Sequence, residues 1–178
     1  MTFRRLLLPA FLTALSQLHA QTAWHDKLAR ALPLLGNRNW IVVAEPAYPV
    51  ENSTGIEVVA TDLSQTDLLT AVLNALAQAP HLRPVFYTDA ELPFVSELDA
   101  NGIGAYRAQL ATLLKGGEVA SVPHEQIVAK VDDVSRAYHV LVLKSTTRLP
   151  YTSVFIRLDS GYWSADAEKR LRAAMQPK

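Results

Sequence analysis

Hydrophobic positions along the chain alternate between two kinds of run. Short continuous apolar stretches suit strands buried on both faces, and stripes at helical spacing suit amphipathic helices. A polar helical start from Trp24 to Leu35 is punctuated by Gly36. Trp40-Ile41-Val42-Val43-Ala44 follows as the first buried-strand run and ends at Glu45-Pro46. The next stretch holds Pro49, Asn52, Ser53 and Gly55, all turn formers, and a β-rich run spans Ile56 to Thr61. Asp62 or Ser64 is placed to cap a helix whose apolar face is Leu69, Val72, Leu73 and Leu76, stopping before Pro80. Pro84 to Tyr87 reads as a strand. Ile103 to Lys115 reads as a helix ended by Gly116-Gly117. Pro123 opens a helix striped by Ile127, Val131 and Val134. Tyr138 to Leu143 and Val154 to Leu158 read as strands around a loop from Ser145 to Pro150, and Ser164 caps a final charged helix through Met175. Intermixed strands and helices predict an α/β domain, a single layered sheet with helices on both faces.

The first twenty residues stand apart from this pattern. Arg4 and Arg5 precede the apolar run Leu6 to Leu15, which closes near Leu18-His19-Ala20. A basic start, a short apolar middle and a small closing residue read as a secretory signal peptide over residues 1–20, with Gln21 as the new terminus. A helix of the folded domain is the other reading of the same residues. The run is too short to span a bilayer, which needs about 20 apolar residues. The expectation is a periplasmic product with no membrane span after the leader is removed.

Composition narrows the function. The chain has 178 residues, 49% of them hydrophobic, and a formal net charge of zero, enough for one domain with a sizeable core. Balanced charge gives no long-range field to draw in nucleic acid or an anionic membrane. Without cysteine there is no disulfide, thiolate nucleophile or thiolate metal site. Gly102-x-Gly104 lacks the third glycine and the preceding strand of a dinucleotide loop. His124 and His139 lie on different elements rather than at metal-binding helical spacing, and no serine sits in a nucleophile elbow.

Three segments in order carry a likeness to a known family. They are Leu35-Gly36-Asn37-Arg38-Asn39 running into the first strand, Glu45 and Tyr48-Pro49; Pro123-His124-Glu125-Gln126; and Leu149-Pro150-Tyr151-Thr152-Ser153-Val154-Phe155-Ile156. Together they resemble the ribose pyranase/fucose mutarotase family (RbsD/FucU), small sugar isomerases acting at the anomeric centre. The resemblance implies a cofactor-free and metal-free mutarotase or pyranase for a free monosaccharide, and a ring-forming homo-oligomer with sites near subunit contacts. It implies catalytic roles for His124 and Tyr151, and sugar contacts from Asn37, Glu45, Ser153 and Lys130. Several positions depart from the family. Its first histidine is Asn37 here, its aspartate Glu45 and its asparagine Ser153. Its lysine falls on Val128, with Lys130 close by, and the segment from Trp163 to Lys178 is additional.

The chemistry suits these residue types. Anomer exchange needs one group to take the anomeric hydroxyl proton and another to donate to the ring oxygen, work for histidine and tyrosine. Each candidate also has an ordinary structural reading: a helix-start histidine, a strand-end tyrosine, a turn carboxylate, a turn asparagine. Asn37 can bind a hydroxyl but cannot shuttle a proton, which leaves a non-catalytic sugar-binding protein as the alternative to an isomerase. A purely structural, oligomer-forming domain is a third.

Overall fold

The computed structural model describes residues 24–176; the expected leader, residues 1–20, lies outside them. The helical stretch over residues 24–31 is α1. After it come β1 (Trp40–Ala44), β2 (Ile56–Ala60), α2 (Gln65–Ala77), β3 (Leu82–Asp89), a short 3-10 turn (Leu92–Phe94), α3 (Ile103–Leu113), β4 (Val119–Val122), α4 (His124–Ser135), β5 (Val140–Lys144), β6 (Val154–Ser160) and α5 (Ala165–Ala174). One six-stranded sheet runs in the order β2-β5-β1-β6-β3-β4. β2, β5 and β1 are parallel, β3 and β4 are parallel, and β6 runs antiparallel between β1 and β3.

The continuous apolar runs are the central strands. Every residue of β1 is buried, and the pleat sends alternate side chains to opposite faces. Ile41 and Val43 join Leu141, Leu143, Ile156 and Leu158 in the larger core, which α1, α2 and α3 cover with Leu28, Leu68, Leu69, Val72, Ile103 and Leu110. Trp40, Val42, Val140, Val142 and Phe155 form the core of the other face, under Ile127 and Val131 of α4. Each such side chain, fully withdrawn from water, contributes about 1.5–3 kcal/mol. Helices therefore cover both faces, as the sequence pattern predicts.

Cap chemistry sets several boundaries. Of the two candidates, Ser64 is the N-cap of α2, its hydroxyl accepting from the Asp67 amide, and Ser164 caps α5 in the same way from Ala167. Gly116 takes a left-handed φ of 83°, which lets the chain reverse after α3. The sequence pattern did not predict β4. It has four residues on a sheet edge with alternate side chains exposed, too little burial to write an apolar run.

This topology prepares one edge of the sheet. The parallel strands β1, β3 and β4 end there, and antiparallel β6 begins there. Val154 of β6 lies opposite both Val43 and Thr88, so the residues just before β6 sit between Glu45, after β1, and Asp89, at the end of β3. β4 ends beside Asp89, at Val122, and passes through Pro123 into α4. The carboxyl ends of strands in an open α/β sheet, where neighbouring connections diverge, are where such folds leave a crevice.

Candidate functional site

A cleft of about 690 Å³ opens at that edge, lined by Glu45, Pro46, Ala47, His124, Arg148, Pro150 and Tyr151. His124 is the first residue of α4. Its backbone N–H donates to both carboxylate oxygens of Glu91, at 3.0 and 3.1 Å. Pro123 offers the helix no capping side chain, so Glu91 supplies the acceptor from outside and places a negative charge at the positive end of the helix.

The His124 ring is held from below. Its Nδ1 lies 3.1 Å from Oδ1 of Asp89, whose side chain is completely buried, while the imidazole is 30% exposed. Burial raises the Asp89 carboxyl above the usual aspartate range; the His124 bond, acting in the opposite direction, is the smaller effect, and nearby Glu91 and Glu45 add to the rise. An ionised Asp89 accepts from Nδ1–H, which leaves Nε2 with its lone pair for a substrate. The other oxygen, Oδ2, is buried without a partner.

Tyr151 stands over this pair, its ring centroid 5.5 Å from that of His124 and the planes at 87°. Its φ of 58° puts a bulky residue in the left-handed region, a conformation found at ligand clamps and held only where the surroundings dictate it. The surroundings do so. Next to it Thr152 is buried: its hydroxyl donates to Leu149 O, and its carbonyl accepts from Gln65 Nε2 at 2.8 Å and from the Tyr106 hydroxyl at 2.6 Å.

On the opposite wall, Oε2 of Glu45 accepts from the Ala47 amide at 2.6 Å, and the Glu45 amide donates to Ser153 Oγ at 3.3 Å. Lys144 Nζ donates to the carbonyls of Pro46 and Tyr48, which holds this wall in place. Ser153 is itself buried and its hydroxyl serves the backbone, so it positions Glu45 rather than facing the cleft.

Of the six residues predicted from sequence, the structure brings His124, Tyr151 and Glu45 onto one cleft and sets Ser153 behind Glu45. It places two elsewhere. Asn37 is an exposed turn residue before β1, at the opposite end of that strand from Glu45, and the five residues of β1 alone rise about 16 Å. Lys130 lies further along α4, with Nζ 5.6 Å from the centre of the Tyr87 ring and outside the cleft lining. Sequence reasoning missed Asp89, Glu91 and Arg148. Asp89 carried the same signal as Glu45, an acid closing an apolar β run. Glu91 could have been sought as the missing cap of α4. Among the described residues no three or more potential ligands gather into a metal site, and no helix is long and apolar enough to cross a membrane.

The chain matches no family model and no curated protein. It does match solved structures. Bacillus subtilis RbsD complexed with D-ribose superposes with a TM-score of 0.53 over 89% of this chain and 98% of that one, at 17% identity. FucU from Bifidobacterium longum superposes at 0.52 over 75% of this chain and 94% of that one, at 16% identity. The architecture implied by the three sequence segments is thus the observed one: the chain has the fold of RbsD and FucU.

Proposed function

We propose that the cleft binds a free monosaccharide and that the protein interconverts its forms at the anomeric centre, as a cofactor-free mutarotase or pyranase. The observation that carries this reading is His124 and Tyr151 together on the cleft, with Asp89 buried behind the His124 ring. The D-ribose complex of a protein with this fold supports a sugar as the ligand. In the proposed step, His124 Nε2 takes the anomeric hydroxyl proton while the Tyr151 hydroxyl donates to the ring oxygen. The ring C–O bond breaks as the C1 carbonyl forms. Reclosure on the other carbonyl face, or through another hydroxyl, gives the second form and returns both protons. Nothing is oxidised or reduced overall. Asp89 orients the imidazole and offsets its charge when protonated, and the free oxygen of Glu45 accepts from ring hydroxyls. Acid–base assistance of this kind is worth about 10²- to 10⁴-fold.

Non-catalytic sugar binding is the second reading, and Asn37 favours it, being an amide at the position of the family's first histidine. Asn37 also lies at the far sheet edge, so it could join a His124 site only across a contact between two copies. A ring assembly, and work outside the cytoplasm, belong to the proposal on the sequence grounds given above.

Magnetisation-transfer NMR on ribose, fucose and galactose, with and without the purified protein, tests both readings. Faster exchange that is lost in His124→Ala supports the isomerase. Broadened sugar signals without faster exchange support the binding protein. No effect on any of the three refutes both for neutral sugars.

A further inference from the structure

Arg148 is the cleft's cation, and it has no obvious structural employment. It makes no ion pair or hydrogen bond with another described residue, although it lines the same cleft as Glu45, His124 and Tyr151. Most of the other arginines in the described sheet and helices are engaged. Arg83 and Arg157 meet Asp159, Arg136 meets Asp132, Arg172 meets Glu168, and Arg107 donates to the carbonyls of Leu92, Pro93 and Val95.

The loop that carries Arg148 is pinned on both sides. Before it, the Thr146 amide and hydroxyl both donate to Leu63 O, at 2.8 and 3.0 Å, and Thr147 Oγ1 accepts from the Gln65 amide at 2.8 Å. After it, Leu149 packs against the larger core and its carbonyl accepts from the Thr152 hydroxyl. The backbone at Arg148 is thereby fixed to the same framework that holds Tyr151. A guanidinium on an anchored loop, beside an acid–base pair and without a protein partner, is a donor fork awaiting a planar or tetrahedral anion. Each carboxylate nearby is held by another partner, Glu45 by the Ala47 amide, Glu91 by the His124 amide and Asp89 by the His124 ring, and none of the three forms an ion pair with the guanidinium.

We infer that the sugar of this cleft is an anionic aldose, a uronate or an aldose phosphate, whose negative group is held by Arg148 while its anomeric carbon faces His124 and Tyr151. This inference rests on the sugar-binding reading above and narrows its substrate class. The geometry divides the cleft by task, with the carboxylate of Glu45 for hydroxyls and the guanidinium for the charged substituent.

Calorimetric titration of the full chain with four probes tests it: galactose, galacturonate, ribose and ribose 5-phosphate. The expected result is tighter binding of at least one anionic sugar than of its neutral partner, by about five- to tenfold in moderate salt. That preference shrinks as salt is raised, disappears in Arg148→Gln and partly survives in Arg148→Lys, which keeps the charge but not the fork. Preference for galacturonate alone identifies a carboxylate, and preference for ribose 5-phosphate alone identifies a phosphate ester. Equal or tighter binding of both neutral sugars overturns the inference and leaves the sugar-binding reading standing, as does a preference unchanged in Arg148→Gln. No binding of any of the four overturns both.

Discussion

Replacing Asp89 by asparagine should separate stability from activity and move them in opposite directions. The carboxylate is fully buried, one oxygen bonded to His124 and the other without a partner. Leaving a buried polar group unsatisfied costs about 1–3 kcal/mol, and a charged one more. Asparagine keeps an acceptor for His124 Nδ1–H and has nearly the same shape, but its amide lies where Oδ2 now lacks a partner. Only the difference between burying a charge and burying a dipole is recovered, about 1 kcal/mol. The pH dependence has a definite sign. The folded carboxyl titrates above the unfolded one, so the folded state binds the proton more tightly. Wild-type stability therefore falls as pH rises from the unfolded carboxyl's range through the raised folded value, and the full penalty is present above it. Asp89→Asn lacks this penalty. It should be the more stable protein by about 1 kcal/mol at pH 8, and the gap should close as the solution is acidified below that window. Activity goes the other way, because the amide cannot offset an imidazolium: sugar exchange should drop about 10- to 100-fold. Urea unfolding from pH 4 to 8, beside exchange NMR, reads both. A variant less stable than wild type at pH 8 would show that the buried charge does not destabilise the fold, and exchange at the wild-type rate would show that Asp89 does not serve His124.

Other outcomes follow from the same geometry. Gln65→Ala removes the amide bonded to Val43 O and Thr152 O, both buried; urea unfolding should show a loss of about 2–3 kcal/mol, and exchange should slow as Tyr151 loses its anchor. Ile127→Ala opens a cavity under the helix that carries His124 and should cost about 3 kcal/mol by the same measurement. In Gly55→Ala the new Cβ would lie 1.9 Å from Ser135 O, which is backbone, so the protein should express poorly or melt well below wild type. Ending the chain after Gly161 removes α5, which buries none of its residues, and should change unfolding by less than about 1 kcal/mol; a larger loss would show that the segment packs against something.

Much of the fold could be read from the chain because burial writes itself into sequence. Trp40–Ala44 and Val140–Lys144 are apolar almost throughout because helices cover both sides of them, and Ile127 and Val131 recur at helical spacing because one face of α4 is buried. β4 was illegible for the opposite reason. The candidate site was legible at His124 and Tyr151 through the family resemblance of the segments that carry them, and at Glu45 also through its place directly after a buried strand. Asp89 lies 35 residues from His124, and their contact is made by the pairing of β3 with β4, which local pattern does not encode. Lys130 shows the converse. Its closeness to Val128, where the family's lysine falls, suggested the site, but six residues of helix carry it past the cleft to Tyr87.

In the proposed function, sugar sits against His124 in the cleft at the carboxyl ends of the strands. The most direct test follows the histidine ring resonances of the full chain during titration with galactose, ribose and their anionic counterparts. The His124 ring signals should shift with saturation by at least one sugar, while those of His81 and His139, which do not line the cleft, stay in place. Movement at His139 with His124 unchanged, or no movement at any histidine while sugar binds, would contradict that placement of the sugar.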